Sequence, residues 1–131
     1  VLETRGVPVV TFGSDVMPAF WSRASRHPAP LRLDTAEAIA RFHKTRGAMG
    51  ISGGLLVANP VPAEDEIAAE EMAGFIGAAQ EEAARQGVAG KAVTPFLLSR
   101  IVELTQGRSL ATNIALVKNN ARLAAQIARA L

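Results

Sequence analysis

The sequence predicts an α/β fold, a partial three-layer α/β/α unit with two or three short parallel strands and about four helices, the last being the longest. Two short apolar runs, 6–13 and 55–58, are bounded by glycine or by Asn-Pro, which is typical of strands buried in a parallel sheet. A helical pattern separates the runs, and this order implies a right-handed parallel crossover. Aromatic residues make up only 5% of the chain and alanine is abundant, so closely packed helices are favoured.

The chain begins with a pattern that normally ends a helix. In "VLETRGVPVV" Gly6 fits a C-terminal cap and Pro8 lies just beyond it. No helix body precedes this turn, so we expect the front of the domain to be missing. After the strand at 6–13, residues 14–34 contain three prolines and no sustained period, which predicts a long irregular loop with a short extended piece at 31–33. Long loops after strands often carry function.

The middle of the chain alternates helix and strand. Asp34 and Glu37 form a capping-box-like start for a helix that ends at Gly47. The second strand, 55–58, is closed by Asn59 and Pro60. This alternation is what places both strands in one sheet.

Two further helices follow before the last one. The pattern from 63 to 87 is helical, with acidic residues in its first turns, where the helix dipole favours negative charge. The segment 94–107 has Thr94 as a predicted cap and Pro95 at the first helical position. The closing helix is predicted to begin at about Ser109.

The closing helix carries two asparagines on its apolar side. At about 100° per residue, this predicted core side consists of Leu110, Asn113, Ile114, Val117, Asn120, Ala124, Ile127 and Leu131. The predicted water-facing side consists of Lys118, Asn119, Arg122, Gln126 and Arg129. A buried carboxamide without partners costs about 1–3 kcal/mol, so both core-side asparagines need partners.

Two interpretations of these asparagines stay open on the residues alone. In the first, both are structural and satisfy a neighbouring loop or helix. In the second, Asn113 binds a ligand in a polar pocket, helped by the free N–H groups of the nearby helix start. The two interpretations differ in whether a substitution changes stability or activity.

Composition and charge exclude several classes of protein. Lys and Arg total 14 against 12 for Asp and Glu, and the basic residues are scattered, so we expect no nucleic-acid partner. The absence of cysteine excludes disulfides and thiolate catalysis. No apolar run reaches the roughly 18–20 residues of a membrane span, so we expect no membrane partner. The chain is predicted to be cytoplasmic.

The remaining candidate groups have simpler structural explanations. The glycines at 50–54 precede a strand, whereas a phosphate-binding loop follows one, so we interpret them as a turn. No two candidate ligands have metal spacing, and no lysine has the surroundings of an amine nucleophile. We therefore predict no metal site and no catalytic residue among His27, His43, the acidic run 64–71, Lys91 and Lys118.

Four separated stretches resemble the C-terminal part of one enzyme family. They are "LETRGVPVVTFGSDVMPAFW", "GGLLVANPVP", "GKAVTPFLLSRIVELTQGRSL" and "NIALVKNNARLAAQIA". The chain is similar over essentially its whole length to the pseudouridine-5'-phosphate glycosidases, also called indigoidine-synthase-A-like proteins. On this resemblance, residues 1–131 form the C-terminal part of a glycosidase domain.

The resemblance implies an activity, a metal and an assembly. Family members reversibly cleave the C–C glycosidic bond of pseudouridine 5'-phosphate to uracil and ribose 5-phosphate. They are typically homotrimers that depend on manganese or another divalent metal. Their nucleophilic lysine, acid glutamate and metal-site aspartate belong to segments before the "LET" stretch, so the resemblance implies no catalytic residue within 1–131 and no turnover by the isolated chain.

The family motif "SL..NI" gives one residue a role here. It corresponds to Ser109, Leu110, Asn113 and Ile114, and the resemblance implies that Asn113 is a substrate-binding residue. Asn120 keeps its structural interpretation. The stretch "SRASRHPAP" departs from the family's "SSGF" type, so contacts between 22 and 30 are expected to differ. The alternative is a non-catalytic binding or assembly remnant.

Overall fold

A computed structural model describes residues 1–131 and contains three strands and four α-helices. The strands are β1 (Val9–Phe12), β2 (Arg32–Leu33) and β3 (Leu56–Ala58), and the helices are α1 (Ala36–Ala48), α2 (Ala69–Arg85), α3 (Val93–Leu104) and α4 (Arg108–Ala130). The predicted α/β class with short parallel strands is confirmed, as is the rank of α4 as the longest helix. No helix is both long and apolar enough to cross a membrane.

The sheet has the order β2-β1-β3, and both pairings are parallel. Val10 lies opposite Val57, and Thr11 lies opposite both Arg32 and Ala58. Val10 and Thr11 are fully buried. Because successive side chains point to opposite faces, β1 is covered on both sides, as its apolar sequence predicts.

The chain begins with the predicted cap at Gly6, which only a short helical turn precedes. A single 3-10 turn, Glu3–Arg5, ends at Gly6, whose φ of 75° lies in the left-handed region. Glycine adopts this conformation without the penalty that a Cβ atom brings. The strand itself begins three residues later than the predicted run, at Val9.

Helix α1 starts at a different cap from the one predicted. Thr35 is the N-cap, and its side chain accepts a hydrogen bond from the Ala38 amide over 3.1 Å. The prediction of Asp34 as the cap was wrong, because Arg32 Nε binds the Asp34 carboxylate at 2.6 Å. The helix is displaced by about one residue as a result.

The predicted helix 63–87 is broken near its start. A 3-10 turn spans Ala63–Asp65, and α2 begins only at Ala69. Between them the Ile67 amide donates to the Trp21 carbonyl oxygen over 3.0 Å. Since that amide is engaged by a distant loop, it is not available to a continuous helix.

Helix α3, in contrast, begins earlier than predicted. A 3-10 turn, Gly90–Ala92, leads directly into Val93, and Ala92 occupies the N-cap without a side-chain bond. The prediction of Thr94 as the cap was therefore wrong. Pro95 lies in the first turn, where its missing N–H costs nothing.

The main core lies between α2 and α3. Ile67, Met72, Ala79 and Ile101 form a buried cluster, against which Trp21 packs together with partly buried residues of both helices. A second buried group lies on α1, at Ile39 and Ala40. Trp21 thus connects the long loop after β1 to the helical core.

Helix α4 buries a different face from the one predicted. Its buried residues are Ser109, Thr112, Leu116 and Leu123. Leu110, Ile114 and Val117, which were predicted to face the core, are instead 48%, 47% and 59% exposed. The buried face is rotated from the prediction by roughly the 100° that separates neighbouring helical residues.

Candidate functional site

A cavity of about 270 Å³ lies where the loop after β1 meets α3 and α4. Its walls consist of Phe20, Trp21, Leu98, Ser99, Val102, Ser109, Leu110 and Asn113. The loop that supplies the two aromatic residues follows the carboxyl end of β1. Ligands of parallel α/β sheets characteristically bind beyond this end of the strands.

Three hydrogen bonds link residues 21–22 of the loop to α4 and to the segment before α2. Trp21 Nε1 donates to the Ser109 carbonyl oxygen over 3.1 Å. Ser22 Oγ donates to the Ile67 carbonyl oxygen over 2.7 Å, and the Ile67 amide donates back to the Trp21 carbonyl oxygen. Such bonds hold the loop beside the first turn of α4.

Phe20 adopts an unusual backbone conformation at the tip of a tight turn. Ala19 and Ser22 exchange backbone hydrogen bonds in both directions, so Phe20 and Trp21 form a two-residue loop. The φ angle of Phe20 is 61°, a region rarely occupied by bulky residues. Its ring meets that of Trp21 edge to face, with centroids 4.7 Å apart and planes at 82°. Phe20 remains 47% exposed.

Asn113 lines the cavity from the second turn of α4. Asn113 is half-buried, and its side chain makes no hydrogen bond within the chain. By contrast Thr112 Oγ1, one residue earlier, donates to the Asp65 carbonyl oxygen over 2.7 Å. The Asn113 carboxamide therefore has donors and an acceptor free for a ligand.

The other two asparagines of α4 hold the helix to the segment after β3. Asn119 Nδ2 donates to the Pro60 carbonyl oxygen over 3.1 Å and is partly buried. The prediction that Asn119 faces water was wrong, because the rotated helix turns it toward that segment. Asn120 Oδ1 accepts a hydrogen bond from Asn59 Nδ2 over 3.1 Å, which agrees with a structural role for Asn120.

No charged side chain lines the cavity. Arg108, which precedes the lining residue Ser109, is paired with Glu71 at the start of α2. The hydrogen bond to the Glu71 carboxylate, with a further contribution from its charge, raises the pKa of Arg108. The cavity therefore offers apolar surface and neutral hydrogen-bonding groups.

The model of the family described as indigoidine synthase A like protein matches residues 1–130. The chain belongs to this family. It is 67% identical over 131 residues to a protein of Mesorhizobium japonicum named pseudouridine-5'-phosphate glycosidase. The match covers all of this chain but 43% of that relative, so the chain spans about two fifths of the relative's length.

Two crystal structures of the family fold are also similar. The prealnumycin C-glycosynthase AlnA, in complex with ribulose 5-phosphate, superposes with a TM-score of 0.88 at 27% identity, over 99% of this chain and 43% of that one. An indigoidine synthase A-like protein from Thermotoga maritima gives a TM-score of 0.80 at 38% identity, over 97% of this chain and 41% of that one. The resemblance drawn from the sequence is confirmed.

The glycines at 50–54 belong to a turn that surrounds a buried arginine. Arg46 is buried, and its guanidinium donates to the carbonyl oxygens of Gly54 at 3.1 Å, Gly6 at 3.4 Å and Ser52 at 3.5 Å. The left-handed φ angles of Gly50 and Gly53, 72° and 103°, shape the turn around it. The structure therefore supports the interpretation of this segment as a turn.

The other candidate groups do not converge. His27, His43, Lys91 and Lys118 are exposed. The structure brings no three His, Cys, Asp or Glu side chains together in a way that could hold a metal ion. None of these groups lines the cavity that contains Asn113.

The sequence singles out Asn113 as a candidate but not its two aromatic neighbours in the cavity, Phe20 and Trp21. The sequence predicts a functional loop over 14–34 but points to no single residue in it. The stretch "PAFW" is the sequence feature that could have indicated these two residues, because it places the only tryptophan of the chain after a strand and a proline. The approach of that loop to α4 depends on pairing across 88 residues.

Proposed function

We propose that the chain is the Asn113-bearing part of a cytoplasmic pseudouridine-5'-phosphate glycosidase. The reaction reversibly converts pseudouridine 5'-phosphate and water to uracil and ribose 5-phosphate by cleavage of the C–C glycosidic bond. The observation that carries the proposal is the unpaired Asn113 carboxamide in a cavity, at the position that the family resemblance gives to substrate binding. The 67% identity to a protein of that name supports the same assignment.

In this proposal the chain binds and orients substrate. The Asn113 amide donates to, or its carbonyl accepts from, polar groups of the substrate. Phe20, Trp21 and Val102 line the cavity beside that contact, and a bound ring that covers them would strengthen the hydrogen bond by displacing water. The lysine nucleophile, acid glutamate and metal-site aspartate are proposed to come from the part of the domain outside residues 1–131.

The side chains of this chain do not fit the manganese or other divalent metal that the family implies. They bring no three potential ligands together, so no step of the mechanism is assigned to a metal here. We propose that the metal ligands lie in the remaining part of the domain.

A homotrimer is proposed on the family resemblance, and the exposed apolar side chains of α4 provide a surface for assembly.

Reconstitution tests the proposed function. The chain is co-expressed with the part of the Mesorhizobium japonicum relative that lies outside the matched region, and uracil release from pseudouridine 5'-phosphate is measured with manganese. We expect turnover from the purified complex and none from either part alone, because positioning without a nucleophile gives little rate enhancement. A folded, inactive complex would contradict the proposal and favour the assembly remnant, for which the exposed face of α4 also argues.

A further inference from the structure

We infer that Phe20 is a specificity-determining residue whose ring stacks on a planar, uncharged heterocycle that Asn113 holds in the cavity. The inference rests on the proposed function and deepens it, because it assigns the cavity to the uracil end of the substrate. The observations behind it are the lining of the cavity, the conformation of Phe20 and the free carboxamide of Asn113.

The lining that this chain contributes to the cavity favours a flat, uncharged ring. Aromatic and aliphatic side chains form most of its wall, and no lysine or arginine takes part. This part of the wall offers apolar contact to a flat ring and no charged partner to a phosphate group.

The conformation of Phe20 presents its ring to the cavity. A left-handed backbone is normally left to glycine or asparagine, and such strained residues concentrate at functional sites. The edge-to-face contact with Trp21 orients the ring. Since Phe20 stays 47% exposed, part of its aromatic surface is free to stack on a ligand.

Asn113 supplies the polar complement. Its carboxamide carries a donor and an acceptor side by side, and none of these is used within the chain. The N–H and C=O groups of a uracil edge offer the matching acceptor and donor. In this arrangement the ring of Phe20 contacts the plane of the base, and the carboxamide of Asn113 bonds its edge.

The fluorescence of Trp21 tests the inference without any need for turnover. Trp21 is the only tryptophan in the chain and lines the cavity, so its emission reports on the site directly. The chain is titrated with uracil and, separately, with ribose 5-phosphate. We expect uracil to change the emission saturably and ribose 5-phosphate to have no effect at the same concentrations.

Variants of Phe20 then identify the stacking surface. Phe20→Ala is expected to raise the uracil dissociation constant by about 5- to 150-fold, the usual consequence of removing a base-stacking ring. Phe20→Tyr keeps the ring and should bind nearly as well as the parent chain. Phe42→Ala on α1 is the matched control, because Phe42 lies outside the cavity, and it should leave uracil binding unchanged.

Phe20→Gly is a second variant that controls for a loss of folding in Phe20→Ala. Glycine accepts the left-handed backbone at position 20, so this variant should fold and still lose uracil binding. Retention of uracil affinity in both Phe20→Ala and Phe20→Gly would overturn the inference, as would a site that responds only to ribose 5-phosphate. An absence of uracil binding in both the chain and the reconstituted complex would overturn it too.

Failure of the inference and failure of the proposed function give different results. If the complex releases uracil and Phe20→Ala leaves its KM and uracil affinity unchanged, the function stands and the inference falls. If no turnover is found while uracil binding depends on Phe20, the inference stands and the function falls. The two measurements use the same purified preparations.

Discussion

Trp21 Nε1 and the Ser109 carbonyl oxygen lie 3.1 Å apart, and this hydrogen bond joins the loop after β1 to the first turn of α4. The two residues are 88 positions apart in the chain. Their contact forms one wall of the cavity that contains Asn113. The site therefore depends on long-range contacts that neither segment makes alone.

Trp21→Phe is expected to lower the free energy of unfolding by about 0.5–1.5 kcal/mol, the usual net value of one hydrogen bond. The ring of phenylalanine keeps most of the apolar contact, so the loss reports on the Nε1 donor. Urea denaturation measures the change. Trp21→Ala is the comparison and should cost more, because it also removes contacts with the buried cluster. Equal stability of Trp21→Phe and the parent chain would contradict this prediction.

Asn113→Ala is expected to lower the turnover of the reconstituted enzyme by about one to three powers of ten, since a carboxamide donor directed at developing charge is typically worth a few kcal/mol. The melting temperature should stay nearly constant, because the Asn113 side chain bonds nothing within the chain. Gln126→Ala is the matched control, being an exposed carboxamide on the same helix. A destabilised but fully active Asn113→Ala enzyme would reject the ligand-binding role.

Asn119→Ala is expected to destabilise the chain by about 1 kcal/mol through loss of the bond to the Pro60 carbonyl. Lys118→Ala, the exposed neighbour, should change the free energy of unfolding by no more than about 0.5 kcal/mol. Chemical denaturation of both variants measures the difference. If the two changes are equal, the Pro60 contact contributes nothing measurable.

The isolated chain is expected to associate as its concentration rises. The reason is the exposed apolar surface of Leu110, Ile114 and Val117 on α4, since monomers rarely expose large contiguous apolar patches. Light scattering across a concentration series measures the apparent mass. Ile114→Lys and Val117→Lys should shift the chain toward monomer, whereas Gln126→Lys, on another side of α4, should not. A compact monomer at all concentrations would refute the expectation.

The sequence by itself determined the local elements and the family. Apolar runs next to glycine and proline located β1 and β3, and helical periodicity located all four helices, because these signals act over a few neighbouring residues. The left-handed cap at Gly6 followed for the same reason. The motif containing Asn113 was recognised as a string of residues, without knowledge of its surroundings.

Tertiary structure decided which face of α4 is buried and what surrounds Asn113. The helix carries more than one stripe of apolar or small residues, and its own periodicity does not distinguish them. The buried face is the one whose polar groups find partners: Thr112 reaches the Asp65 carbonyl and Asn119 reaches that of Pro60. Those partners lie 47 and 59 residues away in sequence, so only folding brings them, and the Phe20 turn, to the helix.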